Sequence, residues 1–236
     1  MSRTFDDARR WAELGTDVLL KAAAGLDGDA YAAPSALPGW SRAHVAAHVA
    51  ANAEALSNLV HWAATGEPTP MYASPEERAA GIERGRALPA AELTAWLHSS
   101  ADALARGTAA LAEEQWRAQV VTAQGRAVPA TEVLWLRSRE VCVHAVDLAN
   151  GVSFADLPAD FLTALCDDVV TKRAAAPGPA LALRAPATGA AWQLPGDGEA
   201  VPVTGELPDI AAYLTGRAAG PLTAEGAPAP ALGAWL

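Results

Sequence analysis

SRAHVAAHVAANAEALSNLVHWAATG, residues 41–66, reads as one long helix with both ends marked. Ser41 can cap its start and Gly66 can close it in a left-handed turn, and neither Gly nor Pro interrupts the run between them. Three further stretches share this texture. Thr4, with Asp7 three residues on, is placed to cap a helix through ARRWAELGTDVLLKAAAGL, residues 8–26. Pro89 fits the first turn of a third helix running to about Glu114, and Pro129 opens a fourth that ends at Gly151. EPTPMYASPEER (67–78) reads as a Pro-rich connection and TAQGRAVPA (122–130) as a loop. Four long amphipathic helices joined by connections of varied length predict a four-helix bundle.

Beyond Gly151 the texture changes. A helix over about 159–174 precedes short apolar runs, ALALRA, AAWQL and AVPVTG, which read as strands separated by the turn signals PATG and PGDG. LPDIAAYLTGR (207–217) reads as a short helix and EGAPAPALGAWL (225–236) as an irregular tail. The expected fold class is therefore α+β, mainly α. It comprises a helical bundle over residues 1–152 and a small α+β domain over 153–236.

Composition narrows the function. Of 236 residues, 51% are hydrophobic and 19% charged, enough apolar material for a packed core. A net charge of −10 disfavours nucleic acid and anionic membrane surfaces, which call for a basic face. The first ten residues lack the apolar segment of a signal peptide, and no run of eighteen apolar residues occurs, so a cytoplasmic protein is expected. The two cysteines, Cys142 and Cys166, form neither a CxxC pair nor a disulfide framework and read as reduced, buried thiols. The eight tryptophans are scattered without an accompanying basic stripe, which points to packing rather than base stacking.

The chemistry concentrates in SREVCVHAVD, residues 138–147. Glu140 and His144 lie four apart, hence on one helix face, in a run that otherwise reads as core. Groups that are costly to desolvate need a partner there. Asp147 is either an orienting partner for His144 or a helix-end acid. On the 41–66 helix, His44 and His48 are also four apart. His44 lies close enough to Ser41 to be a first-turn polar residue, and His48 sits deeper in the apolar run. His61 and His98, near helix ends, read as surface residues. Inward-facing His and Glu from two helices of a bundle can assemble a metal site, and three such ligands with an open position is the catalytic zinc pattern. Spacing of this kind is common without a metal, and it leaves the choice of ligands open.

The motifs LPGWSRAHVAAHV, TPMYASPE, TAQGR and LWLRSREVCVHAVDL together resemble those of the mycothiol-dependent maleylpyruvate isomerases. GWSRAHVAAHV alone would point only to the wider DinB-like superfamily of metal-binding bundles. The resemblance spans nearly the whole chain. It implies a DinB-like bundle with a small C-terminal domain, zinc held by His48, Glu140 and His144, and mycothiol as thiol cosubstrate. The family's essential arginine falls on Arg217 of YLTGRAAG, within a C-terminal domain that matches more loosely. The implied reaction is the cis–trans isomerisation of maleylpyruvate to fumarylpyruvate, a step of gentisate-type aromatic degradation. Its partners are then a small-molecule substrate and a thiol, with a monomer expected. Arg126, Arg137 and Arg139 are candidates to bind carboxylates or cosubstrate, or else surface charges and ion-pair members. Met71 and Tyr72 either line the pocket or plug the open end of the bundle. Two other functions fit the same residues: a zinc-dependent transferase joining a small thiol to another electrophile, and a non-catalytic, metal-stabilised binding module.

Overall fold

The computed structural model describes residues 3–217, 226–233 and 235. The chain divides into two compact units, Thr4–Val152 and Ser153–Leu236. The first comprises α1 (Phe5–Ala23), α2 (Gly28–Ala32), α3 (Arg42–Thr65), α4 (Pro75–Arg86), α5 (Ala90–Ala110), a hairpin of β1 (Gln119–Val121) and β2 (Ala127–Pro129), and α6 (Glu132–Asp147). Four helices form the bundle: α1 packs on α6, α6 on α3, and α3 on α5.

Local chemistry explains these elements. The Thr4 hydroxyl accepts the Asp7 N–H at 3.1 Å while the Asp7 carboxylate accepts the Thr4 N–H at 3.1 Å, closing both ends of a capping box on α1. Helix α3 is buried on most of its circumference, with Ala43, Ala46, Ala47, Ala50 and Ala53 allowing neighbours to approach on several sides. Leu56 and Leu59 of α3, Leu93 and Leu97 of α5, Leu19 of α1 and Trp135 of α6 fill the interior.

Two arginines fix the register of α3 against α6. Buried Arg137 donates from Nη1 to the Val49 carbonyl at 3.0 Å and to Asn52 Oδ1 at 3.2 Å. Arg42 donates to the carbonyls of Leu148 at 2.8 Å and Ala149 at 2.6 Å, beyond the α6 C-terminus. Helices α1 and α6 approach closely at Gly15, where a Cβ would lie 2.5 Å from Cys142 Sγ and 2.6 Å from Val141 Cγ2. Gly15→Ala should therefore cost about 2 kcal/mol through overpacking, read as a lowered thermal unfolding midpoint.

The structure corrects several sequence expectations. The last four residues of the expected connection, 75–78, open a helix, α4, that runs on to Arg86 and is capped by Ser74, whose hydroxyl accepts the Glu77 N–H at 3.1 Å. Its signals, Pro75 at the first position, acids first and arginines last, were obscured by the surrounding prolines. The expected loop at 122–130 is the turn and second strand of the hairpin, its Gly125 adopting φ +75°. Strands of three residues are too short to show a period. Helix α5 ends at Ala110 rather than near Glu114, and α6 begins at Glu132 because Pro129 is spent in β2.

The second unit holds α7 (Ala159–Arg173), β3 (Pro179–Ala185), β4 (Ala190–Leu194), β5 (Asp197–Thr204) and α8 (Leu207–Leu214). The sheet order is β4-β3-β5, with β3 antiparallel to β4 and parallel to β5. Leu181, Leu183 and Val203 of the sheet are buried, as are Phe161 and Leu165 of α7 and Ile210 and Leu214 of α8. Trp192 Nε1 donates to Asp167 at 2.6 Å, fastening β4 to α7. The expected fold class, mainly helical α+β with a bundle and a small C-terminal sheet, is the observed one. Among the described residues, no helix is long and apolar enough to cross a membrane.

Candidate metal centre

The α3–α6 register brings His48 against the Glu140–His144 face. Ligand atoms of His48, Glu140 and His144 all lie within 4.8 Å of one another. His48 Nε2 is 3.0 Å from Glu140 Oε2, and His144 Nε2 is 3.4 Å from the same oxygen. The two imidazoles stand edge to face, their centroids 4.8 Å apart. His48 is 6% exposed.

Neighbouring groups hold this geometry. The fully buried carboxylate of Asp147 lies 2.8 Å from His144 Nδ1, which turns Nε2 towards the cluster. Arg78 Nη2 lies 3.4 Å from His48 Nδ1, and its guanidinium sits 5.8 Å from the Tyr72 ring. Trp40 packs edge-on against His48. Burial alone would raise the Glu140 carboxyl, but His144 and His48 outweigh it and hold Glu140 well below the usual carboxylate range. Burial lowers His144, but Asp147 and Glu140 together push it up to about 9. For His48, burial outweighs the pull of Glu140, and the imidazole is held below its ordinary value.

These residues fit a divalent cation. The carboxylates of half-buried Glu140 and fully buried Asp147 both lie against the His144 ring, so positive charge is called for at one point. Two imidazole nitrogens and a carboxylate oxygen form a donor set suited to zinc and other first-row metals. Asp147→Asn keeps the shape but removes the charge behind His144, so it should weaken zinc affinity by about 10–100-fold, measured by competition with a chelator.

The other candidates fall elsewhere. His44 closes the α3 cap: its Nδ1 accepts the Ser41 N–H at 3.0 Å and lies 2.8 Å from the Ser41 hydroxyl. His61 and His98 are exposed. Arg137 is spent on the α3 register, and burial lowers it to about 10. Arg139 is buried with its guanidinium 5.7 Å from the Trp135 ring. Arg126 is exposed in the hairpin turn. Met71 Sδ accepts the Ala123 N–H at 3.2 Å, so it helps seat that turn. Arg78 was missed because α4 was not recognised. Its signal was the Ser-Pro-Glu-Glu start that places it one turn into a helix.

Arg217 lies in the second unit, just past α8. Its N–H bonds the Ala212 carbonyl at 2.8 Å and the Gly216 N–H bonds Tyr213 at 2.9 Å, the two bonds of a Schellman turn with Gly216 at φ +73°. Its Nη1 donates to the Thr215 carbonyl at 2.7 Å, and its guanidinium lies 5.9 Å from the Trp235 ring.

A helical bundle with an inward-facing His–Glu–His cluster, in a chain that also carries a small α+β unit, defines a known class of two-unit proteins. The chain belongs to the mycothiol maleylpyruvate isomerase family: the model of that family's N-terminal domain matches residues 12–149. A crystal structure of the mycothiol-dependent maleylpyruvate isomerase is 36% identical, with a TM-score of 0.92 over 98% of this chain and 97% of that one. A second, of a histidine-to-alanine mutant of that enzyme, is 35% identical, with the same TM-score and coverage. No curated protein sequence matches.

Proposed function

We propose that this chain converts maleylpyruvate to fumarylpyruvate in the cytoplasm with mycothiol as thiol cosubstrate, at a divalent metal, zinc, held by His48, Glu140 and His144. What supports this reading is the convergence of those three side chains in a chain so similar, over nearly its whole length, to a solved isomerase of that specificity.

A cis double bond does not rotate at a useful rate while intact. Addition of a thiolate to the alkene carbon forms a C–S bond and moves an electron pair onto the conjugated carbonyl oxygen as an enolate. The former double bond, now single, rotates. Return of the electron pair expels the thiolate and leaves the trans isomer, so no atom is gained or lost. A divalent cation at the cluster supplies the charge that keeps the thiol ionised near neutral pH.

The protein residues do the rest. Glu140 and the two histidines provide donors from two rigid helices, and Asp147 fixes the ring of His144. Arg217 pairs with a substrate carboxylate and with the developing enolate, a role suited to a permanently charged, two-pronged donor. The test is the disappearance of maleylpyruvate with zinc-loaded protein and mycothiol, glutathione or no thiol. Turnover with mycothiol alone is expected. Zinc-loaded protein without turnover in all three would overturn the assignment.

A further inference from the structure

A cleft of about 540 Å³ opens along α3, walled by the turn at residues 71–73, by α4 and by Trp96 of α5. It begins beside the metal centre. Arg78, which lines it, has its Nη2 3.4 Å from His48 Nδ1 and its guanidinium 5.8 Å from the Tyr72 ring, and Ala51 on its floor is one helical turn beyond His48. Glu54 and Asn58 follow at the next turns of the same helix face.

The polar groups of this cleft are planar and mixed in sign. Arg84 is paired with Glu77, and Glu54 and Arg78 supply one further charge of each sign, so neither a simple anion nor a simple cation is selected. Glu54 is positioned by Trp96 Nε1, which donates to it at 2.6 Å. A carboxylate has about four acceptor sites, so the indole leaves others for hydroxyl donors. The Asn58 amide NH₂ is directed at the Pro70 and Met71 carbonyls, which leaves its oxygen as an acceptor. Paired acceptors and donors beside an indole match a polyhydroxylated ring, whose hydroxyls bridge the planar groups and whose C–H face is apolar.

We propose that this cleft holds the sugar portion of the thiol cosubstrate. This rests on the assignment of mycothiol above, a cysteine joined by an amide to a glucosaminyl-inositol. From the sulfur to that amide nitrogen is about 5 Å, close to the rise of one helical turn. A thiol at the metal centre would therefore present its sugars alongside Ala51, Glu54 and Asn58. Glu54, Asn58 and Trp96 are thus cosubstrate-recognition residues.

The test is calorimetric titration of the zinc-loaded protein with N-acetylglucosaminyl-inositol, which carries the sugars and no thiol. Binding to the unaltered chain is expected, weakened about tenfold in Glu54→Ala and in Asn58→Ala and less in Glu54→Gln. Glu54 is exposed, so its loss should leave the unfolding midpoint unchanged. No binding, or equal affinity in all variants, overturns the proposal, as does mycothiol-dependent turnover with an unaltered KM for mycothiol in both alanine variants. Sugar binding that follows the variants in a protein without maleylpyruvate turnover would uphold the cleft and overturn the reaction instead.

Discussion

His48→Ala is expected to empty the metal centre and to reduce mycothiol-dependent isomerisation by a factor on the order of 10³, about 4 kcal/mol in barrier. Among the three clustered residues, His48 alone comes from α3, whereas Glu140 and His144 share α6. Without it the site keeps two donors on one helix, too few for a closed grip on zinc. The helices should stay in register, because Arg137 and Arg42 bind α3 to α6 without involving the imidazole. Bound zinc by elemental analysis, read beside the unfolding midpoint, distinguishes loss of metal from loss of fold. An active variant that retains zinc would remove His48 from the site.

Arg217→Ala should reduce kcat/KM for maleylpyruvate to a similar extent while leaving bound zinc unchanged, because Arg217 is not one of the three clustered residues. In the proposed reaction the substrate carries two carboxylates and passes through an enolate, and each needs a cation when water is displaced. Arg217→Lys keeps the charge but loses the fork, so it should retain part of the activity if the requirement is electrostatic. Equal loss in both variants would indicate a need for bidentate geometry. The position depends on Gly216, whose left-handed conformation ends α8 and turns the chain so that Arg217 closes the helix end.

Much of this was legible in the chain. Caps at Thr4 and Ser41 and the terminator Gly66 marked the helices, and the four-residue spacing of Glu140 and His144 put two members of the cluster on one face. Spacing could not separate His44 from His48, since both lie on the same helix. The distinction is local: a histidine three residues past Ser41 can turn back on the helix end, as His44 does. The contributions of Arg78 and Tyr72 lay in a Pro-rich stretch whose helix was hidden by its composition. Nor could the role of Arg137 be read from sequence, because a charged residue in an otherwise apolar stretch reads equally as ligand-binding or structural. Only its two acceptors on α3, more than eighty residues away, show that it sets the register that brings His48 to Glu140 and His144.

The most direct test of a metal-activated thiol is to replace the metal with cobalt and titrate the protein with mycothiol. The predicted result is a near-ultraviolet thiolate-to-cobalt charge-transfer band that saturates with the thiol, absent in His48→Ala. A protein that isomerises maleylpyruvate with mycothiol yet shows no such band would contradict activation of the thiol by the metal.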